Sequence, residues 1–213
     1  MDTARLAQYI LGGRPTGALR GYPGCRDRRL PEASVPLELD GVVYFATESA
    51  VWTGGRAFYD PDARGPVSPR GAERDGGGNA TQGRVLARAH LVTVGQFSDI
   101  AAQEMYRDPG ADLDLTEVLS RGRAVLGEGR YETLLCLGAL DGVPVVTFTA
   151  PWGVGDVEWR PPAAPYLAHL STGLLEADVW AVPAVAAYLA ACPGAAGHWT
   201  PERIARLISP ERL

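Results

Sequence analysis

Two apolar runs, Tyr131–Leu140 and Val143–Thr149, are separated only by Asp141-Gly142. An Asp-Gly pair tolerates the left-handed backbone that a two-residue hairpin turn demands, so this stretch is committed to antiparallel pairing. Other segments read as strands by composition and alternation: Val42–Thr47, Arg56–Tyr59 after the Gly54-Gly55 break, and a long strand over Arg84–Val94. Between and after them the apolar spacing turns helical. Thr3–Leu11 carries Asp2 or Thr3 as its cap and ends at Gly12-Gly13. Gly95–Tyr106 places Phe97, Ile100, Ala101 and Met105 on one side. Leu113–Arg123, Ala163–Asp178, Pro183–Ala191 and Pro201–Ile208 are further helices, with Pro183 and Pro201 suited to a first helical turn. Arg14–Asp40 reads as ordered but irregular. Pro61–Gly83 reads as loop, with a flexible insertion over residues 66–83. This order predicts an α+β fold in which hairpin-joined strands make a small antiparallel or mixed β-barrel with flanking helices. One domain is expected over residues 1–178, followed by a helical extension over 179–213.

Composition removes several function classes. A net charge of -5 and a pI of about 5.2 leave no basic surface for nucleic acid. All 20 basic residues are arginine. Without lysine there is no Schiff-base chemistry and no phosphate-binding P-loop. The histidines, His90, His169 and His198, form no HExxH motif, and Cys25, Cys136 and Cys192 are widely spaced. The expectation is no metal, no cofactor and a reduced, cytoplasmic protein. No apolar run reaches the 18 residues that a membrane helix needs.

Four segments, in order, resemble the γ-glutamylcyclotransferase-like family. Trp52-Thr53-Gly54-Gly55-Arg56-Ala57 is similar to that family's W-x-G-G-x-A segment ahead of a strand. The strand from Arg84 runs into a helix ending Gln103-Glu104, where the family carries its catalytic glutamate. Tyr131-Glu132-Thr133-Leu134 resembles the tyrosine-led start of the next strand, and Pro162-Ala163-Ala164-Pro165-Tyr166 with Gly173 resembles a P-S-x-x-Y segment and its helix. The resemblance covers roughly residues 1–176. Three features depart from the pattern. The Y-G-S-N strand that would precede Arg5-Leu6 is missing, which suggests that Met1 is the methionine after such a strand and that the start lies upstream. Ala163 replaces a serine, and 26 residues lie between Glu104 and Tyr131 where the family has fewer.

The resemblance implies cleavage of a γ-glutamyl amide by the substrate's own α-amine, giving 5-oxoproline and a free amine. The nucleophile belongs to the substrate, so the protein needs no Ser, Cys or Lys nucleophile. It needs a carboxylate to take a proton from the α-ammonium and pass it to the leaving nitrogen. That role falls to Glu104, with Tyr131, Tyr166, Gly54 and Gly55 as the implied substrate-binding residues. The Y-G-S-N loop would supply donors for the oxyanion and the α-carboxylate, so the chain starting at Met1 is expected to be impaired. The partner is a small γ-glutamyl molecule, and the motifs say nothing about its amine half.

Competing readings remain open on the residues alone. A helical glutamate is ordinarily a solvated surface group, Tyr131 and Tyr166 are ordinarily core or rim aromatics, and Gly54-Gly55 serves as a turn. Cys25 could be a nucleophile with His90 as base, although a buried inert thiol is the simpler expectation. A non-catalytic small-molecule-binding member of the same fold, and a different amide hydrolase or deacylase, are the two alternatives to the cyclotransferase reading.

Overall fold

A computed structural model describes residues 2–14, 21–49, 53–63 and 84–208. Trp52 and the expected flexible insertion over residues 66–83 therefore lie outside the described residues. In chain order the elements are α1 (Thr3–Leu11), β1 (Ser34–Asp40), β2 (Val42–Ala46), β3 (Arg56–Asp60), β4 (Arg84–His90), α2 (Val94–Glu104), α3 (Thr116–Arg121), β5 (Arg123–Val125), β6 (Thr133–Leu140), β7 (Val143–Thr149), α4 (Ala164–Leu175), α5 (Val182–Ala191) and α6 (Pro201–Ile208). The class is mixed α+β. Its strands form small sheets, β1-β4, β2-β3 and β5-β6-β7, and among the described residues none closes into a barrel. No described helix is long and apolar enough to cross a membrane.

The chain divides into two compact units, each discontinuous in sequence. The first comprises Met1–Thr3, Ser34–Arg88 and Trp152–Leu213. Here β2 and β3 pair antiparallel, Val42 opposite Asp60 and Ala46 opposite Arg56. Tyr44, Phe45 and Ala46 are buried in succession, as a strand covered on both faces requires. Phe45 packs with Leu167 of α4, Val185 and Leu189 of α5 and Ile204 of α6, all at 2% exposure or less. Val185, Ala186 and Leu189 recur at helical spacing and put one apolar face of α5 into this core. The C-terminal helices thus share α4's core.

The irregular reading of Arg14–Asp40 is corrected by β1, a seven-residue strand that forms a two-stranded sheet with β4. Pro36 lacks a backbone N–H and residues 34–36 are exposed. A strand paired on one side accepts both features, which erase the period-2 signal.

The second unit comprises Ala4–Ala33 and Ala89–Pro151. The hairpin expected at Asp141-Gly142 is present, with Leu140 opposite Val143 and φ of 49° and 80° at the two turn residues, the signature of a primed turn. The helix expected over Leu113–Arg123 is shorter: α3 stops at Arg121, and Gly122 at φ 80° turns the chain into β5, which pairs with β6. Leu134 and Val118, fully buried, form a core with Phe97 and Ala124.

Ile204→Ala is expected to destabilise the protein by about 2–5 kcal/mol in urea denaturation, the range for deleting a large buried aliphatic group. A loss below about 1 kcal/mol would show that α6 does not belong to the first unit's core.

Candidate functional site

In the second unit, helix α2 begins with reciprocal hydrogen bonds. Thr93 Oγ1 accepts from the Gln96 amide at 3.1 Å, and Gln96 Oε1 accepts from the Thr93 amide at 3.0 Å. This capping box satisfies two donors that a helix start leaves unpaired. Along the same helix runs a buried polar stripe of Gln96, Asp99 and Gln103. The Gln96 amide donates to the carbonyls of Asp27 and Arg29 at 3.2 and 2.6 Å. Asp99, with no exposed surface, accepts from the backbone and the Nε of Arg26 at 2.7 and 3.0 Å. Gln103 donates to the carbonyls of Tyr9 and Asp99 at 3.1 and 3.0 Å and accepts from the Gly24 amide at 3.3 Å. Three polar side chains thus tie α2 to residues 24–29 and to the end of α1. Close approach also matters there: a Cβ at Gly24, whose φ is +88°, would stand 2.8 Å from the backbone nitrogen of Gly12.

This framework places Glu104, the last residue of α2. Gln103 holds the main chain of Tyr9, and the Tyr9 hydroxyl donates to the carboxylate of Glu104. Burial, and then the charge of the Glu104 carboxylate, push the Tyr9 phenol well above its ordinary range, so it stays protonated and serves as the donor. Tyr22 Oη lies 3.1 Å from Tyr9 Oη, and the two rings sit 4.1 Å apart. Arg5, one turn before Tyr9 on α1, donates from Nη2 to Tyr9 Oη at 3.3 Å, with its guanidinium 5.8 Å from the ring centre. Glu104 and Arg5 are both half-buried. The apolar floor is Leu6, Tyr9, Ile10, Cys25 and Ile100, with Phe148 packed against it. Tyr131 meets Phe148 edge-on at 5.8 Å. Glu104 is therefore not set among aliphatic groups alone, because a phenol touches it and a guanidinium stands one hydroxyl away.

Gly54, Gly55 and Tyr166 come together within the first unit. The Gly54 amide donates to Glu48 Oε1 at 3.1 Å and the Gly55 amide to the Pro161 carbonyl at 2.9 Å. A Cβ at Gly55 would meet the Arg160 carbonyl oxygen at 2.1 Å. Tyr166 Oη accepts from the Ala57 amide at 3.2 Å. Through these contacts all three residues join the start of β3 to the segment leading into α4, which is a structural role.

Cys25 is buried, its Sγ 3.4 Å from the Tyr9 carbonyl, and burial raises its thiol to about 11. That is the setting of an inert thiol. An open groove of about 500 Å³ in the first unit is lined by Asp156, Glu158, Trp159 and His198 among others, and contains none of the five residues named from sequence. Reading the sequence missed Arg5, Tyr9 and Tyr22. The Arg5–Tyr9 spacing of one helical turn was visible, but nothing in it announces a partner 95 residues away.

Asp99→Ala leaves the backbone N–H and the guanidinium of Arg26 without their buried acceptor. It is expected to lower stability by about 1–3 kcal/mol, read as a fall in denaturation midpoint, with weakened amide-exchange protection at Cys25 and Arg26. Gly55→Ala, which forces a methyl onto a carbonyl oxygen, is expected to destabilise by about 1–3 kcal/mol as overpacking does; an unchanged melting temperature would remove its structural role.

Comparison with protein-family models, with curated proteins and with solved structures found no match to this chain.

Proposed function

We propose that this chain is a γ-glutamylcyclotransferase-like enzyme that cleaves a γ-glutamyl amide by intramolecular cyclisation, with Glu104 as general acid and base. The observation that carries this reading is the setting of Glu104. Glu104 is half-buried, and its carboxylate is held by a phenol that keeps its own proton. A proton-transfer group needs a fixed position more than it needs partners of its own. Closure of the antiparallel sheets into a small barrel belongs to the same proposal.

In the reaction, Glu104 takes a proton from the substrate's α-ammonium. The freed nitrogen attacks the γ-carbonyl carbon and the new N–C bond closes a five-membered lactam. The bond from that carbon to the amide nitrogen then breaks as Glu104 returns the proton to the leaving nitrogen, and the second proton, shed by the ring nitrogen as it becomes the lactam N–H, goes with the released amine, which departs as an ammonium. Products are 5-oxoproline and the amine, and Glu104 ends as it began. Tyr131, edge-on to Phe148 beside the cluster under Glu104, is the aromatic wall of this reading. Gly54, Gly55 and Tyr166 already spend their polar groups on protein partners, so the reading gives them a supporting role and no direct donor to substrate.

The same commitments favour a second reading, a binding protein of this fold that holds a γ-glutamyl ligand without turning it over. One assay separates the two. The protein translated from its full open reading frame is offered a panel of γ-glutamyl amines and dipeptides, and 5-oxoproline is measured. Release is expected, with Glu104→Gln lowering kcat by at least about 100-fold, the lower bound for losing a general acid–base group. Gln keeps an acceptor for Tyr9, so the fold is expected to survive. No 5-oxoproline from any member of the panel would overturn the enzyme reading.

A further inference from the structure

We propose that Arg5 and Glu104, bridged by the Tyr9 hydroxyl, form a clamp for the α-amino-acid head of the substrate. The Arg5 guanidinium takes the α-carboxylate and the Glu104 carboxylate takes the α-ammonium. The clamp rests on the cyclotransferase reading and adds to it a charged side chain for the substrate's carboxylate.

Three observations support it. First, the two charges meet at a single oxygen: Arg5 Nη2 is 3.3 Å from Tyr9 Oη, and that hydroxyl touches the Glu104 carboxylate. An α-amino acid carries an ammonium and a carboxylate on one carbon, so its head presents the complementary charges at short separation. Second, both residues are half-buried, where a charge-assisted hydrogen bond is stronger than in open water and still reachable. Third, the bridge is rigid. Tyr9 is 1% exposed, its ring packs against Tyr22 at a 41° tilt, and Gln103 holds its main chain. Arg5 sits one helical turn from Tyr9 with its guanidinium beside the ring, a placement that orients the cation. The guanidinium has five donors in a planar fork, and its contact with Tyr9 uses one of them.

The consequence is selectivity at the head group. A 4-aminobutanoyl amide closes the same five-membered lactam and lacks only the α-carboxylate. The test compares γ-glutamyl anilide with 4-aminobutanoyl anilide on the wild type, Arg5→Gln and Arg5→Lys. On the γ-glutamyl anilide, Arg5→Gln is expected to lower kcat/KM by about 10- to 100-fold, the loss of a hydrogen bond to a charged group, with partial recovery in Arg5→Lys. On the 4-aminobutanoyl anilide the same variants are expected to stay within about 3-fold of the wild type. Equal losses on both substrates would overturn the clamp and leave Arg5 a structural residue. If the wild type releases lactam from neither anilide and from no member of the γ-glutamyl panel, the cyclotransferase reading fails. The clamp is then judged by binding of glutamine against 4-aminobutanamide, followed by NMR. Glutamine binding that Arg5→Gln abolishes keeps the clamp without chemistry. Absence of any glutamine preference overturns it. Thermal melts of each variant confirm that the comparison is made on folded protein.

Discussion

The second unit turns on Gln103. Its side-chain amide reaches the Tyr9 carbonyl, the Asp99 carbonyl and the Gly24 amide, three backbone groups from three parts of the chain. A buried side-chain amide left half-paired costs more than it contributes, whereas a fully paired one admits few alternative arrangements. Because Gln103 is satisfied only in this arrangement, the end of α1, the segment around Gly24 and the last turn of α2 are held in one relation. Asp99 and Gln96 extend the same logic one and two turns back along the helix. The orientation of Glu104 follows, since it is the residue next to Gln103 and Tyr9 is the residue Gln103 holds.

That geometry makes a site from groups that are individually unremarkable in sequence. A glutamate at a helix end, a tyrosine on another helix and an arginine one turn away from it are common surface residues. Brought together, they put a proton acceptor and a cation in contact with one protonated phenol. In the first unit the glycine pair and Tyr166 show the converse case. Residues that resemble a functional motif are absorbed by backbone hydrogen bonds and by a crowded approach to Arg160.

Much of the architecture was legible locally. The Asp141-Gly142 turn, all six helices among the described residues to within about three residues at each end and the β2–β3 segments are set by short-range features: φ preference, prolines in first turns, aromatic and β-branched runs. Strand β1 escaped because an edge position relaxes the alternation that marks a strand. Strand β5 escaped because three residues carry no periodicity, and only pairing with β6 makes them a strand. The Thr93-Val94-Gly95-Gln96 spacing of the capping box was present in the sequence and marks the start of α2. The buried polar stripe was less accessible, since Asp99 and Gln103 look like the wet side of an amphipathic helix until their partners are known.

The sequence by itself determined the α+β class, the hairpin, most helix positions, the absence of lysine chemistry and the candidacy of Glu104. The first four rest on residue identity and on neighbours within a turn or two, whereas the candidacy of Glu104 rests on the resemblance carried by four spaced segments. Only the tertiary structure decided that Tyr9, Tyr22 and Arg5 attend Glu104, that Cys25 is sealed away, and that Gly54, Gly55 and Tyr166 have their polar groups occupied. The physical reason is range. A backbone conformation is chosen by local sterics and hydrogen bonding, while the company a side chain keeps is chosen by the packing of segments nearly a hundred residues apart, and no local pattern encodes that.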